Sequence, residues 1–417
     1  MIGNKNKKKI LVYAHYYHPD VASTGQILKE LCEGLRENFD ITVICVVPSY
    51  TGTIDEVYKR QKYYDEEING IKVIRVKVPE FRKTDKLSRM KNLITYFFRA
   101  IWATFKCGNQ DYIFSISQPP ILGGLLGVIG KWIKRGKFIY NIQDFNPEQT
   151  IAIGYTKKTY LIKPAMWLDK FSCRHADKII LVGRDMQETL KKRFKNKKVP
   201  SNTFINNWIN EKEIYPLEEN NEKVLAFKKQ YGLDGKIVIM YSGNIGLYYD
   251  LENLIKVIRK FKDREDVVFA FIGEGTVKEK LVDYVEKNKL SNVKFIPYQT
   301  KENLIYSLNA GDIHWVVNAK GIKGISVPSK LYGVMAVGKT VIGVLEEGSE
   351  ARIIIEDCKC GVCIEPGNYY EVYEKLKDIL NNIEKYKCIG MNGKVYVDKF
   401  IKKDVAIGKY YEEIFKL

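Results

Sequence analysis

The segment Asn318–Gly343, NAKGIKGISVPSKLYGVMAVGKTVIG, carries the most suggestive chemistry in the chain. Gly321 and Gly324 make a flexible loop that bears Lys320 and Lys323. Pro328 suits the first turn of a helix, and Ser326 is placed to cap it. A helix over about 329–337, ended by Gly338, would gather Ser326, Ser329 and Lys330 at its start. Free amides, hydroxyls and an ammonium there suit a diphosphate, although the same residues would also make a capped structural helix with surface lysines. Three other strand-end loops are rich in glycine or small residues. In His15–Gln26, Thr24-Gly25-Gln26 opens a helix where an anion is favoured, but the loop lacks the G-x-G-x-x-G of dinucleotide sites. Ser242-Gly243-Asn244-Ile245-Gly246 and Gly273-Glu274-Gly275 allow a phosphate or sugar to approach the backbone closely. Asp144 follows the strand FIYNI and offers a carboxylate to take an acceptor proton or to stabilise an oxocarbenium-like centre; a plain loop or capping aspartate is the other reading.

These residues need a scaffold, and the pattern supplies one. The 417 residues allow two or three domains. Short β-branched runs (Ile10–Ala14, Ile41–Val47, Ile71–Val78, Tyr112–Ile116, Phe138–Ile142, Lys178–Val182) alternate with helical patterns, as in a parallel, doubly wound α/β sheet. The pattern restarts at KIVIMYSGNIG and continues through DVVFAFIGEG, NVKFIPY, DIHWVVN and TVIGVL. The expected organisation is therefore a first α/β domain over 1–208, a polar linker region over 209–235, a second α/β domain over 236–395 and a helix over 396–417 that packs back toward the first domain. Open α/β sheets place ligands at the carboxyl ends of their strands, so two Rossmann-like doubly wound domains facing a cleft are expected to bind there.

The motif order PD-x-x-STGQ, QD-x-x-PE, SGN-x-G, GEG and VPSKLYG-x-MA-x-GK-x-VIG resembles family 4 glycosyltransferases of the GT-B fold. The similarity is strongest to the bacterial surface-polysaccharide branch with N-acetyl-fucosamine-type transferases of O-antigen and capsule synthesis, and it covers nearly the whole chain. The resemblance implies retaining, metal-independent transfer from a nucleotide-diphosphate sugar, with UDP favoured. The donor is then a substrate and no cofactor is expected. Asp144 and Lys330 are the implied catalytic pair. The implied donor set is Thr24, Gly25, Gly243, Asn244, Gly246, Gly273, Pro297, Tyr298, Lys320, Ser326, Val327, Ser329 and Glu350. Two departures stand out. The family's paired glutamates would fall at Ile325 and Gly333, which leaves the ribose contact to Glu346, Glu347 or Glu350. The cations expected after SGN are replaced by Ile245-Gly246-Leu247-Tyr248-Tyr249, so Lys320, Lys323 and Lys330 are the nearest source of positive charge.

Composition narrows the partners. Hydrophobic residues at 45% and charged residues at 28% exclude a disordered chain. Lys and Arg outnumber Asp and Glu by 68 to 50, and a formal net charge of +18 asks for an anionic partner. The stretch 82–106 holds Arg82, Lys83, Lys86, Arg89, Lys91, Arg99 and Lys106 among Phe97, Phe98, Trp102 and Phe105. That mixture suits an interfacial helix on an anionic membrane, or else a helix packed on its sheet with solvated cations. Arg89, Phe97, Trp102 and the loop residue His18 are the expected acceptor and membrane contacts, the acceptor being a lipid-linked saccharide. No spanning segment or signal peptide is expected, which points to the cytoplasmic face of the membrane. Nucleic acid is disfavoured for want of any recognisable binding motif. A nucleotide-sugar epimerase and a non-catalytic sugar-nucleotide binder remain alternatives. Cys358, Cys360 and Cys363 lack a nearby fourth zinc ligand and are expected to pack at a strand end, and His314 is expected in the core.

Overall fold

The computed structural model describes residues 7–20, 23–82, 85–154, 158–195 and 197–417; Lys83 of the basic stretch lies outside them. These residues form two compact units, the first drawn from 1–151, 156–206 and 407–417 and the second from 152–155 and 207–406.

Among the described residues the first unit has an eight-stranded sheet: β1 Lys8–Tyr13, β2 Phe39–Val46, β3 Tyr63–Ile68, β4 Ile71–Val76, β5 Tyr112–Ile116, β6 Lys137–Ile142, β7 Lys178–Leu181 and β8 Asn202–Phe204. Their order is β3-β4-β2-β1-β5-β6-β7-β8. All neighbours run parallel except β3 and β4, a hairpin turned by Asn69-Gly70 with both residues at positive φ. The central strands carry apolar residues to both faces and are buried by helices on either side, whereas β3, with the sequence YYDEEI, is a charged edge. The helix Lys403–Phe415 packs on this unit. Tyr410 accepts a hydrogen bond from Asn141 Nδ2 (3.0 Å), and Glu413 pairs with Lys178 (2.6 Å).

Among the described residues the second unit has a six-stranded, fully parallel sheet: β9 Ile237–Ser242, β10 Val267–Ile272, β11 Val293–Ile296, β12 Ile313–Val317, β13 Thr340–Val344 and β14 Gly361–Ile364. Their order is β11-β10-β9-β12-β13-β14. β10, with the sequence VVFAFI, is buried along its whole length and places Phe269 beside Ile239 of β9. The stretch read as a linker contains the helix Glu222–Tyr231, capped by the Asn221 side chain at one end and by left-handed Gly232 at the other. Val224 and Phe227 of that helix join the core over β9 and β10. Its polar composition disguised it, because only one narrow face is buried. Cys360 is in the core, and His314 is fully buried with Nε2 3.0 Å from the Leu308 carbonyl oxygen.

Candidate functional site

In the second unit the loop after β9 and the loop after β10 are locked to each other. Ile245 N donates to Glu274 O (2.9 Å), Val277 N to Ile245 O (3.1 Å), and Gly273 N to Ile296 O at the end of β11 (3.1 Å). Gly243 and Gly273 have φ of +145° and +140°, and a Cβ on Gly273 would lie 2.0 Å from Gly243 O. Gly273 is needed for the loops to touch and Gly243 for its backbone conformation, apart from any ligand. Asn244 is exposed beside Gly246, and Pro297 and the largely exposed Tyr298 leave β11 next to the same loops.

Lys330 reaches this loop from the first position of the short helix Lys330–Ala336. Its ammonium donates to Tyr241 Oη (2.7 Å) and lies 3.5 Å from the centre of the Tyr249 ring and 4.3 Å from that of Tyr241. Tyr241 Oη in turn donates to Asn244 O (2.6 Å). Burial among these rings holds the lysine well below its ordinary pKa. A lysine held by aromatic faces and one hydroxyl regains its full charge when an anion arrives beside it. Tyr241 and Tyr249 escape a reading by motif because neither is a cation; the detectable signal is an aromatic at each end of the SGN loop.

The remaining donor candidates divide. Ala319 N donates to Tyr248 O (2.7 Å), which ties the lysine-bearing loop to the glycine loop. Lys320 is exposed there, whereas Lys323 Nζ donates to Glu347 O (2.6 Å). Glu346 accepts from the amides of Gly321 and Lys323 (2.9 Å each), so its carboxylate is engaged in shaping this loop. Glu350 is buried at the start of the helix Glu350–Cys358. Ser326 is not the helix cap. That position falls to Ser329, with no side-chain capping bond, because the helix starts later than Pro328 suggested. Val327 packs against the core.

In the first unit Asp144 lies half-buried just past β6. Ser117 Oγ accepts from Gln143 N (3.0 Å) and Asp144 N (3.4 Å). The loop beyond Asp144 is gripped by Arg193, which sequence reasoning missed. Its buried guanidinium donates to both Glu148 carboxylate oxygens (2.9 and 2.6 Å), to Asn146 O (3.1 Å) and to Asp169, and stacks 4.5 Å from the Phe145 ring centre. Thr24 Oγ1 donates to Gln118 Oε1 (3.0 Å), and Gly25 abuts Tyr16 O. His18 is exposed, and its carbonyl accepts from buried Arg75 (2.6 Å).

The helix Lys86–Lys106 is inverted relative to a helix packed on its sheet by an apolar stripe. Asn92, Tyr96, Ala100, Ala103 and Thr104 face inward, while Leu87, Met90, Ile94, Phe98, Trp102 and Phe105 are exposed along one stripe. Phe97 is half-buried against Phe98. The neighbouring helices Leu122–Lys134 and Thr159–His175 add exposed Trp132, Tyr160 and Trp167. Among the described residues no helix is long and apolar enough to cross a membrane.

The profile of the family "Glycosyl transferases group 1" matches residues 223–396, the segment containing the Lys330 site. The probable glycosyltransferase WbjE of Pseudomonas aeruginosa is 25% identical over 356 residues, covering 85% of this chain and 84% of its own. The putative colanic acid biosynthesis glycosyl transferase WcaI of Escherichia coli K12 is 24% identical over 415 residues, covering 97% and 99%. The crystal structure of Anabaena HepE in complex with UDP and glucose superposes with a TM-score of 0.71 at 14% identity, covering 98% of this chain and 100% of that one. Two Rossmann-like α/β units, a group 1 glycosyltransferase profile over residues 223–396 and relatives named as glycosyltransferases over most of the chain converge: the fold is of the GT-B type, and its second unit carries the group 1 glycosyltransferase signature.

Proposed function

We propose that the protein transfers a sugar, with retention of anomeric configuration, from a UDP-sugar to a polyprenyl-diphosphate-linked saccharide during assembly of a bacterial surface polysaccharide of the O-antigen or capsule type. An N-acetylated deoxysugar is the favoured donor sugar. The observation that carries this reading is the Lys330 ammonium, held between Tyr241 and Tyr249 beside Gly243. Charge builds on the departing diphosphate in the transition state, and a pre-placed lysine that takes up its proton with the diphosphate stabilises it. Asp144 is assigned to the acceptor hydroxyl or to the oxocarbenium-like sugar. The donor is a substrate, and the reading needs neither metal nor cofactor. The UDP and glucose bound to HepE and the colanic acid context of WcaI support the donor and the pathway class. The exposed aromatic stripe of Lys86–Lys106 with its flanking cations supports attachment to the inner face of an anionic membrane.

A thermal-shift panel of UDP- and GDP-sugars tests the donor. UDP compounds should protect, and Lys330→Met should lose most of that protection. Asp144→Asn should stop transfer while UDP still binds. Absence of hydrolysis or transfer from every nucleotide sugar in the panel would refute the proposal. Flotation with phosphatidylglycerol vesicles tests the membrane face, and binding should weaken with salt and with Phe98→Glu/Trp102→Glu.

A further inference from the structure

The first unit contains a cavity of about 210 Å³ lined by His15 and Tyr16 after β1, Phe81 after β4, Gln118 and Pro119 after β5, and Arg89 with its neighbours on the helix Lys86–Lys106. At about 30 Å³ per water this is the space of roughly seven waters, the scale of one pyranose ring with a substituent. Its chemistry is mixed in a way that fits such a ring. Tyr16 and Phe81 line it with aromatic carbon, which suits the apolar side of a sugar. Gln118 uses its carbonyl oxygen on Thr24, which leaves its NH₂ to donate. His15 is 7% exposed, is held by Asn92, and has an Nε2 with no partner. An unpaired buried ring nitrogen is costly, and a ligand hydroxyl would satisfy it.

Arg89 supplies the charge. It is exposed and has no carboxylate partner among the described residues. It sits on the same helix as the outward stripe Leu87, Met90, Ile94, but belongs to the side that lines the cavity. A ligand held by Arg89 is therefore held across this helix from the face assigned to the membrane.

We infer that this cavity is a subsite for a phosphate-bearing pyranose, with Arg89 on the phosphate, Tyr16 and Phe81 against the ring, and His15 and Gln118 on its hydroxyls. The inference rests on the acceptor reading above and deepens it: the sugar next to the phosphate of the acceptor is recognised, rather than the distal end of the saccharide. A free sugar phosphate has the same chemistry, and the two sources are separated by experiment.

Saturation-transfer NMR on the full chain, with the donor site filled by UDP, compares glucose 1-phosphate, glucose and a farnesyl-diphosphate-linked N-acetylglucosamine. Glucose 1-phosphate should bind about tenfold or more tighter than glucose. Arg89→Ala should erase that difference, and Leu93→Trp, which fills the cavity, should abolish binding of both sugars. Tighter binding of the prenyl-linked probe assigns the site to a lipid-linked acceptor, and equal binding assigns it to a free sugar phosphate; both keep the subsite. Wild-type, Arg89→Ala and Leu93→Trp proteins that bind glucose 1-phosphate alike, while UDP still protects, overturn the subsite and leave the donor reading intact. Failure of every nucleotide to protect overturns the reading beneath it.

Discussion

Arg193→Met removes the guanidinium that organises the loop beyond Asp144. The Arg193 side chain is 1% exposed, and its partners differ: Glu148 is 18% exposed and Asp169 only 4%. Methionine replaces much of the aliphatic stem, so the cavity term is small and the loss is mainly electrostatic. Glu148 can turn toward water, but Asp169 cannot. It keeps the Tyr140 hydroxyl (2.7 Å) and is otherwise an unpaired buried charge. Breaking a buried pair by removing one partner costs about 3–5 kcal/mol. For a unit of this size each kcal/mol moves Tm by about 2–4 °C, so the first unit should melt roughly 6–20 °C lower.

The pH dependence gives a second, sharper readout. Burial raises the Asp169 pKa, and Arg193 is the chief group opposing that rise. Without Arg193 the folded-state pKa climbs further above the unfolded value. The penalty is then absent below the unfolded pKa and complete above the folded one, so the Tm deficit of Arg193→Met should shrink as pH falls. Adding Asp169→Asn should recover part of the loss at neutral pH. Differential scanning calorimetry from acid to neutral pH measures both effects. A deficit under about 1 kcal/mol, the worth of a surface pair, or one that does not vary with pH, would refute the argument.

Other expectations concern the second unit and the buried histidines. UDP binding should take up a proton, because burial depresses the Lys330 pKa and a diphosphate restores it; affinity should fall as pH rises from the depressed value to the restored one, and titration calorimetry in buffers of different ionisation enthalpy would detect the uptake, absent in Lys330→Met. Tyr249→Phe should keep UDP affinity, whereas Tyr249→Leu should lose about 0.5–2 kcal/mol, since the ring face holds the ammonium. Gly273→Ala should destabilise by at least about 1–3 kcal/mol from its φ alone and weaken UDP binding by pushing Gly243 aside, as read by urea melts and thermal shift. His15 and His314 are both held down from 6.5 to about 4 by burial, so the unfolded chain binds protons first. Stability should fall between those pH values by up to roughly 3 kcal/mol per histidine in urea titrations, and a flat profile would contradict their burial as neutral rings.

Long apolar runs and strand-end glycines were legible because their patterns are local. Tyr112–Ile116 was read with its observed limits, and the SGN and GEG loops stand where their strands end. The hairpin strand Tyr63–Ile68 was missed although Asn69-Gly70 announces a tight turn, because YYDEEI lacks the apolar alternation of a half-buried strand. Arg193 was invisible for a different reason. Its partners lie 45 and 24 residues away, and nothing in a run of RDMQETLKKR separates the one buried cation from its solvated neighbours. The inverted face of Lys86–Lys106 was half legible: its composition was clear, but only packing decides which stripe faces out.

The absence of cations after the SGN loop also takes on a different meaning once Tyr249 is placed. A second ammonium at that position would sit about 4 Å from Lys330, where two like charges repel by about 4 kcal/mol at an effective dielectric of 20. A carboxylate there would hold the lysine well, but would oppose an incoming diphosphate and have to be displaced. An aromatic face does neither: it holds the lysine head in place, adds no net charge and sets no carboxylate against the incoming diphosphate. The loop sequence Ile245–Tyr249 is therefore compatible with a working diphosphate site in which one well-positioned lysine replaces a cluster. On that account the cost of losing Lys330 should be larger here than in a site with several cations, because no neighbour in the loop can take over its charge.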